Sequence, residues 1–137
     1  MSQEHLERLR NEATRPPFND WLKLESISAS AEGVELRLPV RPEMAGGTNP
    51  SFVHGGIIAS LIDVAGYSAA ACATGNAVPT IALQIEYLRP ALAETLDARA
   101  VVRQKSRKLV RIDIEVSAGG KIVALGRGTF AVQEKNK

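Results

Sequence analysis

Gly56-Ile57-Ile58-Ala59-Ser60-Leu61-Ile62-Asp63-Val64-Ala65-Gly66-Tyr67-Ser68-Ala69-Ala70-Ala71-Cys72-Ala73 is the stretch whose reading decides the fold. Apolar residues fill nearly every helical position here, and a helix that is apolar almost all round is buried rather than laid on a surface. The spacing predicts one long buried helix over about 56–73. Ala69, Ala70 and Ala71 are small enough to let a sheet approach closely, and Gly75-Asn76 is a natural stop.

The flanks read as strands. Upstream, Val34, Leu36, Leu38 and Val40 share one face while Glu35 and Arg37 point the other way, and Leu22 to Ser30 carries a weaker strand signal. Before them, about Glu4 to Thr14 forms helix, with Leu6 and Leu9 at i, i+3 spacing, and Pro16-Pro17 ends it. Residues 42–50 form a loop rich in Pro and Gly. Downstream come four alternating runs. Ile81, Leu83, Ile85 and Tyr87 share a face in the first, Leu96, Ala98, Ala100 and Val102 in the second, and Val110, Ile112, Ile114 and Val116 in the third. Ser117-Ala118-Gly119-Gly120 is a hairpin signal before the last strand, Lys121 to Val132. Short connections imply an antiparallel sheet whose apolar face needs a cover, and the central helix is the obvious one. The expectation is an α+β fold, one domain over residues 1–137, with an antiparallel sheet wrapped around the central helix.

Composition narrows the function. The chain has 137 residues, enough for one substantial core but not two, with 45% apolar and 23% charged residues. A net charge of +2 gives no reason to expect a nucleic-acid partner. Cys72 is the only cysteine, which excludes an intrachain disulfide framework and a multi-cysteine metal site. The opening residues are polar and no run of 18 uninterrupted apolar residues occurs, so neither a signal peptide nor a membrane partner is expected. A cytoplasmic protein is the expectation by elimination.

Two features carry chemistry, and they sit together: Val53-His54-Gly55-Gly56 opens the helix and Asp63 lies inside it. An ionised carboxylate among Leu61, Ile62, Val64 and Ala65 is costly to desolvate, so it is either satisfied by hydrogen bonds or used. At a helix start the first N–H groups lack intrahelical partners and carry partial positive charge, and glycines there let a ligand approach the backbone. Such a site can hold a carbonyl oxygen and stabilise the negative charge that develops in acyl transfer. Taken alone, Gly55-Gly56 reads equally as tight packing and His54 as a structural hydrogen-bonding group. Asp63 lies about two turns further on, so it needs a neighbouring subunit, or a bend, to reach the same atom. Arg103, Lys105, Arg107 and Lys108 cluster around one strand turn, as phosphate ligands or as an ordinary solvated strand end. Cys72 reads as a small apolar residue.

His54-Gly55-Gly56, then Leu61, Asp63 and Ala65, resembles the HGG-x4-L-x-D-x-A signature of the PaaI-like hotdog-fold thioesterases. The stretch Thr80 to Pro90 is similar to the family's strand after the central helix, as is the ending Gly126-Arg127-Gly128-Thr129-Phe130, and the likeness runs from about Val34 to Val132. The resemblance implies a hotdog fold and hydrolysis of acyl-CoA thioesters without metal or redox cofactor, and the pocket residues Met44, Phe52, Tyr67 and Ile57 suggest an aromatic or medium-chain acyl group. It implies that the Gly55 N–H polarises the thioester carbonyl and that Asp63, from the partner subunit, serves as nucleophile or general base. It also implies that His54 and an upstream Asn orient the thioester, and that Thr80 positions water or the Asp. Here Asn49 stands one position closer to His54 than in the family, with Thr48 in the usual place. Substrate contacts are expected from Gly56, Tyr67 and Phe52, with Met44 and Ile57 as further pocket residues, and from Arg107 and Lys108 on the coenzyme A phosphates. Homodimers or homotetramers with active sites at the dimer interface follow from the same likeness. The alternatives are a non-catalytic acyl-CoA-binding module and a hotdog hydratase. A carboxylate nine residues after His54 argues against the latter.

Overall fold

The structure is a computed structural model that describes residues 2–48 and 51–133. Helices α1 (Ser2–Thr14) and α2 (Pro17–Leu22) precede strands β1 (Glu25–Ala29) and β2 (Gly33–Pro39). A 3-10 turn (Pro42–Met44) leads to α3 (Gly55–Thr74), followed by β3 (Thr80–Tyr87), β4 (Thr95–Lys105), β5 (Leu109–Ala118) and β6 (Lys121–Ala131). The strands form one antiparallel sheet in the order β1-β2-β4-β5-β6-β3. This is the expected α+β arrangement, with the sheet curved around the central helix.

Alternation puts Leu36, Leu38, Leu96, Ile112, Ile114, Val116 and Phe130 on the inner face, all fully buried. Against them lie Ile58, Leu61, Ile62, Ala65 and Ala69 of α3. α3 is long and apolar enough to cross a bilayer, yet the sheet on one side and α1 on the other take up most of that apolar surface. The close approach depends on two missing side chains. A Cβ on Gly126 would stand 2.5 Å from Ile62 Cγ2, and one on Gly66 would stand 2.8 Å from Phe130 Cζ. Between β5 and β6, Gly119 (φ 58°) and Gly120 (φ 82°) both take the left-handed region that a two-residue hairpin turn of this hand requires.

Three local expectations shift. Pro16-Pro17 ends the first helix, but Pro17 also opens α2, because proline suits the first helical position where its missing N–H costs nothing. Leu22 therefore ends a helix, fully buried, and the strand predicted from it begins at Glu25. The first of the four later runs is less covered than its alternation implies. Leu83 and Ile85 are half-buried, whereas Ile81 and Tyr87 are 58% and 53% exposed. The cause is strand order: β3 pairs only with β6 and forms an edge of the sheet.

α3 also keeps an open stripe. Gly56, Ser60, Asp63 and Tyr67, spaced by three and four residues, remain partly accessible beside that edge. On the opposite side Cys72 is buried against α1, its Sγ 3.5 Å from the His5 carbonyl oxygen. Burial pushes its thiol up to about 11.

Two outcomes follow. Gly126→Ala gains about half a kcal/mol of chain entropy but forces a methyl onto Ile62, so it should destabilise by about 1–3 kcal/mol, read as a lower denaturant midpoint at unchanged slope. Cys72 should take up no thiol reagent at pH 8 in the folded protein and one equivalent in guanidinium. Because its folded pKa is raised, the stability tied to it is intact below the ordinary thiol value and drains away between pH 9 and 11, which urea titrations across that range would detect.

Candidate functional site

The start of α3 is set by backbone hydrogen bonds from the preceding loop. The Val53 N–H donates to the Ala91 carbonyl at 3.1 Å, and the His54 N–H donates to the Met44 carbonyl at 2.8 Å. Gly46 N–H donates to Phe52 O at 2.7 Å, closing the loop on itself. His54 is the N-cap, extended at φ −58°, ψ 136°, and its Nδ1 accepts from the Gly56 N–H at 2.8 Å. The His54 carbonyl accepts from the N–H groups of Ile57 at 2.9 Å and Ile58 at 3.2 Å. Of the four N–H groups that a helix start leaves without partners, only that of Gly55 has no acceptor among the described residues. It lies at the positive end of a twenty-residue helix with no acidic side chain in its first turn.

Asp63 lies on the open stripe, its Oδ1 accepting from Thr80 Oγ1 at 2.9 Å. Thr80 is the first residue of β3, so the carboxylate is aimed by the edge strand. The other carboxylate oxygen has no partner among the described residues. The sequence reading left two alternatives, a carboxylate satisfied by hydrogen bonds or one that is used; the structure has a partly open carboxylate with one donor, a group that is satisfied enough to persist and free enough to react. Gly55 and Asp63 are eight residues apart on one helix, which at 1.5 Å per residue is about 12 Å. Within one chain they cannot serve the same carbonyl.

The remaining expected residues divide. Tyr67 follows Asp63 by one turn, half-buried, its ring edge-on to Phe130 at 6.4 Å and its Oη accepting from the Val78 N–H at 3.4 Å. Phe52 is partly exposed over Gly47, where a Cβ would strike its ring. Gly56 leaves its N–H to His54, so what it offers a substrate is an open backbone surface. Met44 is completely buried and faces the core; its part in the site is the carbonyl that holds His54. Asn49 lies outside the described residues, and Thr48 is exposed. In the basic cluster, Arg103 pairs with Asp113 at 2.7 Å and Lys105 Nζ donates to the Ala73 carbonyl at 2.9 Å, capping the end of α3. Arg107 and Lys108 project from the exposed β4–β5 turn, at the end of the sheet where Thr80 stands and away from Gly55. Among the described residues no group of three or more His, Cys, Asp or Glu is placed to hold a metal ion.

One residue at this site was missed from sequence. Tyr87 donates its hydroxyl hydrogen to the Gly55 carbonyl at 2.8 Å, across from β3 to the helix start. The available signal was a tyrosine rather than a phenylalanine closing an apolar strand face. A shallow groove on the outer face of the sheet, lined by Gln84, Glu86, Arg99, Arg103, Asp113 and Arg127, lies across the sheet from α3 and shares none of these residues. There burial works against the Asp113 charge, and Arg103 and Arg127 together outweigh it and hold the carboxyl below its ordinary value.

Comparison with known proteins agrees with this fold. Residues 51–125 match the family model described as "Thioesterase superfamily". A protein of Halobacterium salinarum named as an esterase is 34% identical, the match covering 78% of this chain and 79% of that one. The medium/long-chain acyl-CoA thioesterase YigI of Escherichia coli is 28% identical over 73% of this chain and 74% of its own. Among solved structures, the E. coli PaaI protein from the phenylacetic acid degradation operon superposes with a TM-score of 0.89 at 27% identity, covering 99% of this chain and 98% of that one. With the helix, the sheet and the matched residues in agreement, the chain belongs to the thioesterase superfamily.

Proposed function

We propose that this protein hydrolyses acyl-CoA thioesters to the free acid and coenzyme A, with an active site shared between two copies of the chain. The observation that carries the reading is the placement of two half-sites at opposite ends of β3. Tyr87, at the end of the strand, holds the Gly55 helix start. Thr80, at its beginning, holds Asp63.

β3 is also the edge that is left open. The other edge, β1, is flanked by α1, whereas β3 offers a free backbone edge with Ile81 exposed on it. Such an edge is a template for pairing with a second strand. Two β3 strands paired antiparallel about a two-fold axis exchange their ends, which sets Gly55 of one copy against Asp63 of the partner subunit. The 12 Å gap within one chain is thereby bypassed. The thioester carbonyl oxygen then accepts from the Gly55 N–H, and the free carboxylate oxygen of Asp63 either attacks the carbonyl carbon, expelling the coenzyme A thiolate and leaving an anhydride that water then opens, or takes a proton from the water that attacks, after which the C–S bond breaks and the thiolate leaves. Thr80 fixes the carboxylate through its other oxygen. His54 and the open surface of Gly56 line the approach.

Phe52, Ile57 and Tyr67, all partly accessible, suit an aromatic or medium-length acyl group, in keeping with the medium/long-chain substrates in YigI's name. Arg107 and Lys108 are suited to the phosphates of coenzyme A. Pairing of such dimers into a homotetramer belongs to the same proposal, as does a reducing, cytoplasmic setting for the single unpaired thiol.

Thiol release from a panel of aliphatic, benzoyl- and phenylacetyl-CoA substrates tests the activity. Asp63→Asn is nearly isosteric and removes the charge, so kcat should fall at least about 100-fold. Binding of acyl-CoA without turnover by the wild type would instead establish a non-catalytic module, and equal turnover by the variant would exclude Asp63. Co-expression tests the shared site. Gly55→Pro deletes the N–H yet suits the first helical position, and the extended His54 is compatible with a following proline. Each variant alone should be inactive, and co-expressed with Asp63→Asn it should recover about a quarter of wild-type activity, since half of randomly assorted dimers are mixed and carry one intact site. No recovery would exclude the shared site.

A further inference from the structure

The two glycines at the start of α3 are seats for two rings. A Cβ on Gly55 would lie 3.4 Å from Cε1 and Cζ of Tyr87, and one on Gly56 would lie 3.1 Å from Nδ1 and 3.3 Å from Cε1 of His54. Both rings hydrogen-bond to the same peptide. The Tyr87 hydroxyl donates to the Gly55 carbonyl, and the N–H of that peptide, belonging to Gly56, donates to His54 Nδ1. One rigid peptide plane thus joins Tyr87 to His54, donor to acceptor throughout.

The geometry points to Tyr87 as a positioning residue that acts through the Gly55–Gly56 peptide to hold His54 in the tautomer protonated at Nε2. The chain of bonds fixes the direction. Nδ1 receives a proton donor, so in the neutral ring its lone pair is committed and the hydrogen sits on Nε2. A hydroxyl on the carbonyl withdraws density from the peptide and makes its N–H a better donor, and bonds in such a series strengthen one another. Clamping the peptide on both sides also fixes the orientation of Gly55, whose own N–H has no acceptor among the described residues. His54 is exposed and Nε2 has no partner among the described residues, so the helix start presents two donors, the Gly55 N–H and the His54 Nε2–H. Tyr87 is more than half exposed, and its ring adds little to the core. Its hydroxyl therefore serves the helix start rather than general packing.

The role in turnover rests on the thioesterase reading; the tautomer does not. His5 and His54 are the only histidines, so imidazole nitrogen spectra of the ligand-free protein are assignable with a His5→Gln control. Wild-type protein at a pH where the rings are neutral should show His54 protonated at Nε2 and a Gly56 amide protected from exchange. In Tyr87→Phe, which keeps the ring, Gly56 exchange should rise about tenfold and the tautomer preference should weaken. Against the best acyl-CoA, kcat should fall about five- to tenfold with KM within twofold, the loss expected for one net hydrogen bond. A wild-type His54 protonated at Nδ1 overturns the inference whether or not the variant folds. So does a Tyr87→Phe protein with unchanged Gly56 exchange and kcat. Absence of turnover in the wild type would sink the thioesterase reading and leave the spectra to decide the relay.

Discussion

Everything in this molecule depends on how closely one apolar helix can be brought to a curved sheet. α3 cannot be exposed, and its alanine-rich second half offers little volume of its own, so the sheet has to come to it. Gly126 lets Ile62 press into β6, and Gly66 lets Phe130 cross over the helix. Large groups on each partner meet missing side chains on the other, which is how interiors reach crystal-like density without strained rotamers. A helix held this way is fixed along its length. Its first N–H groups and its one carboxylate are therefore held at fixed points.

The same packing decides which part of the helix stays open. Because β6 intervenes between β5 and β3, the sheet runs out at β3, where the stripe of Gly56, Ser60, Asp63 and Tyr67 meets the edge. Ser60 and Asp63 fall where α3 is least buried, whereas Ser68 is fully buried, so Asp63 bears less of the desolvation cost that a carboxylate at the Leu61 position would meet. Thr80 and Tyr87, at the two ends of that edge strand, both reach to the helix, so β3 serves less as a cover for the core than as a frame for the site.

Much of this was legible in the chain. The unbroken apolar period of residues 56–73 gave the helix to within a residue at each end, and the alternation of Val110, Ile112, Ile114 and Val116 gave a central strand, because central strands are buried on a whole face. Alternation misled for Ile81 and Tyr87, since the pattern of a strand does not say whether it lies inside a sheet or at its edge; that depends on pairings between distant segments. The short α2 was hidden for a similar reason, a proline pair signalling both an end and a beginning. At the site, His54, Gly55, Gly56 and Asp63 were found from type and spacing and Thr80 through the family resemblance, and Asp63 and Thr80 proved to be bonded. What sequence could not supply was the direction of each side chain. Met44 looked like a pocket residue and faces the core, while Tyr87 looked like a core residue and holds the helix start.

The proposed division of the site between two chains rests on the helix itself. A carbonyl carbon and its oxygen are 1.2 Å apart, so the group that attacks one and the donor that stabilises the other must converge within a few ångströms. A rigid helix keeps its first N–H and a carboxylate two turns away about 12 Å apart, and bending α3 to bring them together would break the fit at Gly66 and Gly126 that holds the domain. A fold whose stability requires a fixed central helix can use both features on one substrate only by borrowing one of them from a second copy. In the arrangement we propose, an open edge strand that grips the donor at one end and the carboxylate at the other would make that exchange a consequence of simple antiparallel pairing, so the constraint that shapes the core is also the reason for proposing that the chemistry is shared.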